Sequence, residues 1–183
     1  MEQLLFGGAN SSIGHLENIT GVYLYNYLQT ASNPEESYYV PFVQSDHIRR
    51  SIHVGAAIYG GTGEAKVSAY LRNDIYQSVK PWLEELLDSP ENYRIMIYSG
   101  SLDIVCASAL TEKMITTLKW SGASDFATTA RKVWRVGNDV AGYTKSSGNF
   151  THVVIRNAGH AAPADQPERC FQMINAFTTG KPI

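Results

Sequence analysis

Two short apolar runs in this chain are typical of buried β-strands, and each leads into a residue that can carry chemistry. The run at 95–98 stops at a Ser-Gly pair, and Asp103 follows three residues later. The run at 153–155 leads through a glycine to His160. Because ligands sit outside the carboxyl ends of strands in open α/β sheets, we expect the two side chains at one sheet edge.

Helical patterns flank these runs. Segment 78–88 places apolar residues on one face and carries Pro81, which is tolerable only in a first turn. Ser45 is predicted to cap a short helix that Gly55 ends, and Asp165 is predicted to cap the last helix. The predicted helices are 45–55, 65–72, 78–88, 107–118, 126–132 and 165–178.

The remaining apolar segments complete an α/β layout. A short strand is predicted at 133–136, and residues 140–145 and 150–155 form a predicted hairpin around 146–149. Residues 1–64 are mostly irregular and rich in tyrosine. The order of helices and strands indicates the last part of a larger α/β sheet.

Composition narrows the class of protein. The 183 residues suffice for one domain, and 15 basic against 17 acidic residues give no footprint for nucleic acid. No apolar stretch is long enough to span a membrane, and the first residues lack the basic start and apolar centre of a signal peptide. Two cysteines predict neither a disulfide framework nor a metal site, and no cofactor is indicated.

Several other residues invite a functional interpretation. Asn10, Asn18 and Asn149 lie in glycosylation sequons, some of which are expected by chance. Cys170 is expected to pack in the core. Four further histidines lack metal-ligand spacing and are expected at the surface or in caps: His15, His47, His53 and His152.

An Asp that precedes a His, each in a loop after a strand, fits the Ser, Asp, His order of α/β hydrolases. In that arrangement the Asp fixes the tautomer of the imidazole and stabilises the imidazolium. A structural interpretation stays open at this point, because Asp often follows a strand for reasons of turn geometry and a Gly-His loop can be structural.

Longer motifs resemble the C-terminal motifs of serine carboxypeptidases, closest to the vitellogenic carboxypeptidase-like branch. They are Val79-Lys80-Pro81-Trp82-Leu83, Ile97-Tyr98-Ser99-Gly100-Ser101-Leu102-Asp103 and Ala158-Gly159-His160-Ala161-Ala162-Pro163-Ala164-Asp165-Gln166-Pro167. The resemblance implies that Asp103 and His160 are the triad acid and base. It also implies part of a cap insertion at 1–77 and the C-terminal part of an α/β-hydrolase domain, with a mixed, mostly parallel sheet, at 78–183.

The same resemblance gives expectations for neighbouring positions. Cys106 matches a free thiol near the site in some relatives, although by residue type alone it is a small buried hydrophobe. Ala161 stands where the family commonly has Met, which leaves the wall of the leaving-residue pocket shallower. Val22 and Thr30 replace paired cysteines of some relatives, so that bridge is absent. Secretion or lysosomal delivery is implied.

The family's nucleophile is not found in this sequence. It sits in a Gly-x-Ser-x-Gly elbow, whose small residues permit a sharp strand-to-helix turn, and no such pattern occurs here. Ser37 has the Glu-Ser-Tyr core of the motif, but Glu35 and Tyr39 replace its glycines. We therefore expect a C-terminal portion whose partners are a peptide C-terminus and a missing N-terminal half of the enzyme.

Three interpretations follow. The whole protein could be a serine carboxypeptidase, with this chain alone inactive because it lacks the nucleophile. The chain could instead be a non-catalytic binding or decoy module. It could also be a truncated product with no stable existence, since a sheet cut through its middle exposes an apolar edge.

Overall fold

The computed structural model describes residues 12–32, 37–60, 62–74 and 77–183, and a four-stranded sheet organises the second half of the chain. The strands are β1 (Ile95–Gly100), β2 (Lys132–Val136), β3 (Asp139–Ser147) and β4 (Phe150–Ile155). Their order in the sheet is β1-β4-β3-β2.

The sheet is mixed, as the sequence predicted. β1 and β4 run parallel, whereas the β4–β3 and β3–β2 pairings are antiparallel. The expectation of a mostly parallel sheet is therefore wrong for these four strands. The reason is that β2, β3 and β4 follow one another through tight turns, which permit only antiparallel pairing. Gly148 has a φ of +57°, which suits the predicted hairpin turn.

Helices precede, connect and follow the strands. They are α1 (Ser12–Thr20), α2 (Tyr39–Gln44), α3 (Asp46–Ser51), α4 (Thr62–Leu71), α5 (Lys80–Leu87), α6 (Ser108–Ile115), α7 (Ala123–Thr128), α8 (Ala162–Asp165) and α9 (Pro167–Thr178). Pro81 lies in the first turn of α5, as predicted. The predicted helix at 45–55 begins after Ser45 but ends at Ser51, and Gly55 has a φ of +58° in the turn beyond it.

Two apolar clusters form the core, and β4 contributes to both. Phe150 packs in a cluster with side chains of α5, α6 and α7, while Val153 and Ile155 pack in a second cluster with α8 and α9. Successive side chains of a strand point to opposite faces, so β4 is covered on both sides. Burying each of these side chains contributes about 1.5–3 kcal/mol, which fixes the strand that delivers the His loop.

The start of the last helix differs from the prediction. Asp165 does not cap α9, because it ends α8 and Gln166 is the residue before α9. Its carboxylate accepts hydrogen bonds from the backbone N–H of Gly159 and from Asn26 instead. Cys170 is buried in α9, as expected. Among the described residues no helix has the length and apolar character needed to cross a bilayer.

Candidate active site

The Asp and His loops meet because β1 and β4 are parallel neighbours. Gly100 pairs with Ile155 at the carboxyl ends of the two strands. A Cβ at Gly100 would lie 2.1 Å from the carbonyl oxygen of Gly159 and 2.3 Å from that of Ala158, so only glycine permits this approach. The backbone N–H of Leu102 donates to Ala158 across the gap at 2.8 Å.

Asp103 and His160 form a hydrogen-bonded pair. Nδ1 of His160 lies 2.8 Å from Oδ2 of Asp103, and Oδ1 of Asp103 accepts the backbone N–H of Cys106 at 2.9 Å. The side chain of Asp103 is 4% exposed, while that of His160 is 41% exposed. A buried carboxylate on Nδ1 fixes the imidazole orientation and leaves Nε2, on the far side of the ring, for a reacting hydroxyl.

The segment around Leu24 and Tyr25 supports both the Asp loop and the His loop. The sequence did not predict this contact. The backbone N–H of His160 donates to the carbonyl oxygen of Tyr25 at 2.7 Å, and that of Ile104 donates to Leu24 at 3.0 Å. The ring of Tyr25 meets the imidazole edge-on, with centroids 5.0 Å apart. The pKa of Tyr25 is raised, first by burial and then by nearby acidic groups, so it stays a neutral phenol.

A partly buried polar clamp, formed by Asp165 and Asn26, holds this early segment against the His loop. Oδ2 of Asp165 accepts hydrogen bonds from the backbone N–H of Gly159 at 2.6 Å and from Nδ2 of Asn26 at 3.0 Å. Asn26 is buried, and a Cβ at Gly159 would lie 2.2 Å from the Tyr25 carbonyl oxygen. The sequence offered no signal for Asn26, because its partner lies 139 positions away.

A cavity of about 220 Å³ opens beside the imidazole. Among the described residues its lining holds no serine, and it consists of Tyr23, Tyr25, Asn26, Gln29, His160, Ala161 and Asp165. Ala161 is exposed and presents only a methyl group to this space. Ser37 is exposed and precedes α2, while Glu35 and Glu36 lie outside the described residues.

Cys106 lies close to the pair, and its surroundings differ from the buried position expected from residue type. The residue is exposed, so the interpretation as a small buried hydrophobe is wrong. Desolvation and then the charge of Asp103 raise the pKa of its thiol. Atoms of Asp103, Cys106 and His160 that could bind a metal ion lie within 4.8 Å of one another. A metal held there would compete with the hydrogen bond between Asp103 and His160.

The other candidate residues have mixed outcomes. Asn18 is exposed on α1, and Asn10 lies outside the described residues. Nδ2 of Asn149 donates to the carbonyl oxygens of Leu87 and Tyr93, so this amide has a structural role. His15, His47 and His53 are exposed, as predicted. The same prediction is wrong for His152, which is 3% exposed on β4 because its position falls on the helix-covered face.

The fold defines the class: a mixed sheet flanked by helices, with a buried Asp and an exposed His at adjacent strand ends, has the fold of an α/β hydrolase. The structure of Kex1Δp, a prohormone-processing carboxypeptidase from Saccharomyces cerevisiae, matches with a TM-score of 0.65 at 21% identity, over 86% of this chain and 36% of that one. The profile of the serine carboxypeptidase family matches residues 17–180, and the chain belongs to this family.

Relatives across animals agree with this assignment. The chain is 40% identical to a probable serine carboxypeptidase, CPVL, of Homo sapiens, over 99% of this chain and 38% of the human protein. It is 38% identical to the venom serine carboxypeptidase of Apis mellifera, over 98% of this chain and 38% of that protein. It is 34% identical to the vitellogenic carboxypeptidase of Aedes aegypti, over 96% and 37% respectively. The chain thus spans less than two fifths of these relatives.

Proposed function

We propose that this chain supplies the acid and base of a serine carboxypeptidase that releases C-terminal residues from peptides. The observation that carries the proposal is the 2.8 Å hydrogen bond from Nδ1 of His160 to the buried carboxylate of Asp103. Family membership supports a serine as the nucleophile. Since the sequence has no Gly-x-Ser-x-Gly elbow, that serine comes from outside these 183 residues.

The steps follow from the geometry of the pair. Nε2 of His160 accepts the serine proton as the serine oxygen bonds to the carbonyl carbon of the last peptide bond. Asp103 stabilises the imidazolium, which then protonates the leaving nitrogen as the C–N bond breaks. Water attacks the acyl-enzyme, gives its proton to Nε2 and frees the shortened peptide, and the proton returns to the serine.

The cavity beside His160 is the proposed site for the departing residue. Tyr25 and Ala161 line it next to the imidazole, and Ala161 leaves one wall shallow. Because the cavity lies beside the imidazole, it can contact the C-terminal residue of the peptide, which carries the free carboxylate. The relatives support a secreted or lysosomal peptidase, and the missing nucleophile supports an inactive isolated chain.

A chimaera tests the proposal. This chain replaces the matching segment of the human relative, and the product is assayed on a peptide with a blocked N-terminus and a free C-terminus. We expect turnover by the chimaera and none by the chain alone. Loss of the Asp that orients a triad His costs about 10⁴-fold, so Asp103→Asn and His160→Gln should nearly abolish turnover.

The exposed His47→Gln variant is the matched control and should retain turnover. Two results would overturn the proposal. One is turnover by the isolated chain, which contradicts the missing nucleophile. The other is an active chimaera that keeps full activity when His160 is replaced, which would remove His160 from the reaction. A chimaera that binds the peptide without cleaving it would support a binding or decoy module.

A further inference from the structure

A second cavity, of about 250 Å³, lies between the sheet and helices α6 and α7. It shares no lining residue with the cavity beside His160. Lys145 of β3 and His152 of β4 are a directly opposed pair, so their side chains lie together on one face of the sheet. The helices contribute apolar side chains to the same lining, so the cavity carries both polar and apolar groups.

His152 is the unusual residue among the polar groups of this lining. Its side chain is 3% exposed, and its Nε2 is buried and has no hydrogen-bond partner. A buried polar atom without a partner costs about 1–3 kcal/mol, so native proteins generally satisfy such atoms. Nδ1 lies 4.0 Å from Oε1 of Glu112, too far for a hydrogen bond. Nε2 is therefore a buried polar atom whose hydrogen-bonding capacity is not used by the described residues.

The charges around His152 favour an anion. Glu112 and Arg131 form an ion pair at the partly exposed rim of the cavity. Lys145 is not matched by a second carboxylate in the lining, and its ammonium group uses one of three N–H donors on the carbonyl oxygen of Ala127 at 3.2 Å. Burial, followed by the charges of Arg131 and Lys145, lowers the pKa of His152 to about 4, so its imidazole is neutral near pH 7.

Aromatic rings make up another part of the lining and suit an apolar group. Trp120 and Phe126 have ring centroids 5.9 Å apart with a tilt of 57°, and the ammonium group of Lys145 lies 4.8 Å from the centroid of the Phe126 ring. Ile115 and Leu118 add aliphatic surface. A volume of about 250 Å³ is smaller than the ~300–1,000 Å³ of pockets for drug-sized ligands, so the occupant must be small.

We propose that this cavity binds a small organic monoanion, with its carboxylate beside Lys145 and Nε2 of His152 and its aromatic or branched apolar body against Trp120 and Phe126. The neutral imidazole donates its Nε2 proton to a carboxylate oxygen. Arg131 offsets the repulsion between Glu112 and the unprotonated Nδ1. The site is independent of the peptidase reaction, because no residue of the Asp103 and His160 pair takes part in it.

The test uses the full chain, labelled with ¹⁵N, and three probes: phenylacetate, its neutral isostere phenylacetamide and the cation phenethylamine. Side-chain NMR spectra report Nε2 of His152 and the indole N–H of Trp120. We expect phenylacetate in the millimolar range to shift both resonances in a saturable way, and the other two probes to bind more weakly. Lys145→Met removes a charged hydrogen bond worth about 1.5–3 kcal/mol and should weaken phenylacetate by at least about tenfold.

Lys132→Met, at an exposed position of β2, is the matched control and should bind phenylacetate like the native chain. The proposal is overturned if phenylacetate leaves the His152 resonance unchanged, or if phenylacetamide binds as tightly as phenylacetate. Both results are measured on the native chain, so the proposal can be refuted even if a variant fails to fold. Unchanged shifts at His160 upon binding would confirm that the two sites are separate.

Discussion

Burial of His152 should make the folded chain less stable as the pH falls from about 6.5 to about 4. Its pKa is lowered from 6.5 to about 4, first by burial and then by the charges of Arg131 and Lys145, while Glu112 faces it at 4.0 Å. The unfolded chain therefore binds a proton in this range that the folded chain rejects. The stabilising contribution is complete above about pH 6.5 and is lost as the pH falls towards 4.

The size of the effect follows from the pKa difference. At about pH 5 the unfolded imidazole is protonated and the folded one is neutral, and each pKa unit corresponds to 1.36 kcal/mol. The interval from 6.5 down to 5 gives about 2 kcal/mol. Residual access of solvent to the ring reduces this, so we expect a loss of about 1–2 kcal/mol relative to neutral pH.

Urea unfolding at about pH 7.5 and about pH 5 measures the change in free energy. His152→Gln removes the titrating group, so its free energy of unfolding should fall by about 1–2 kcal/mol less than that of the native chain. The exposed His47→Gln variant controls for loss of a histidine elsewhere. If native chain and His152→Gln lose the same free energy between the two pH values, His152 is not a buried neutral imidazole and the reasoning fails.

Two substitutions test the support of the His loop, and one measurement tests the role of Asn149. Gly159→Ala places a Cβ 2.2 Å from the Tyr25 carbonyl oxygen, so the loop must shift. The turnover of the chimaera should then drop about a hundredfold. Near-native turnover would contradict the tight approach of the two backbones. Asp165→Ala leaves the buried amide of Asn26 unpaired and should cost about 2 kcal/mol in urea unfolding, a value near zero arguing against the clamp. Asn149 already donates Nδ2 to two carbonyl oxygens, so mass spectrometry of chain expressed in eukaryotic cells should find it without a glycan.

The strands and the pair were predictable because they depend on local patterns. The apolar run before Asp103 and the run before His160 form β1 and β4, and the turn at Gly148 joins β3 to β4. Parallel pairing of β1 with β4 then requires the two loops to meet. The serine carboxypeptidase family was predicted from the motifs around these loops and is confirmed by the family match.

Long-range contacts were not predictable from the same patterns. Asp165 stands two residues before Pro167, as a helix cap can, yet its carboxylate binds Asn26 because that segment folds back over the His loop. His152 was expected at the surface, since a single polar residue in a strand does not reveal which face helices cover. The division at residue 77 into cap and hydrolase parts stays a prediction.

The most direct measurement of the central claim is the Nδ1 proton of His160 in the ¹H–¹⁵N NMR spectrum of this chain. A hydrogen bond to the buried Asp103 carboxylate should give a strongly deshielded, slowly exchanging proton on Nδ1 and an unprotonated Nε2, and Asp103→Asn should remove that signal. An imidazole of His160 that averages over both tautomers, and that does not respond to Asp103→Asn, would contradict the pairing on which the proposed peptidase function rests.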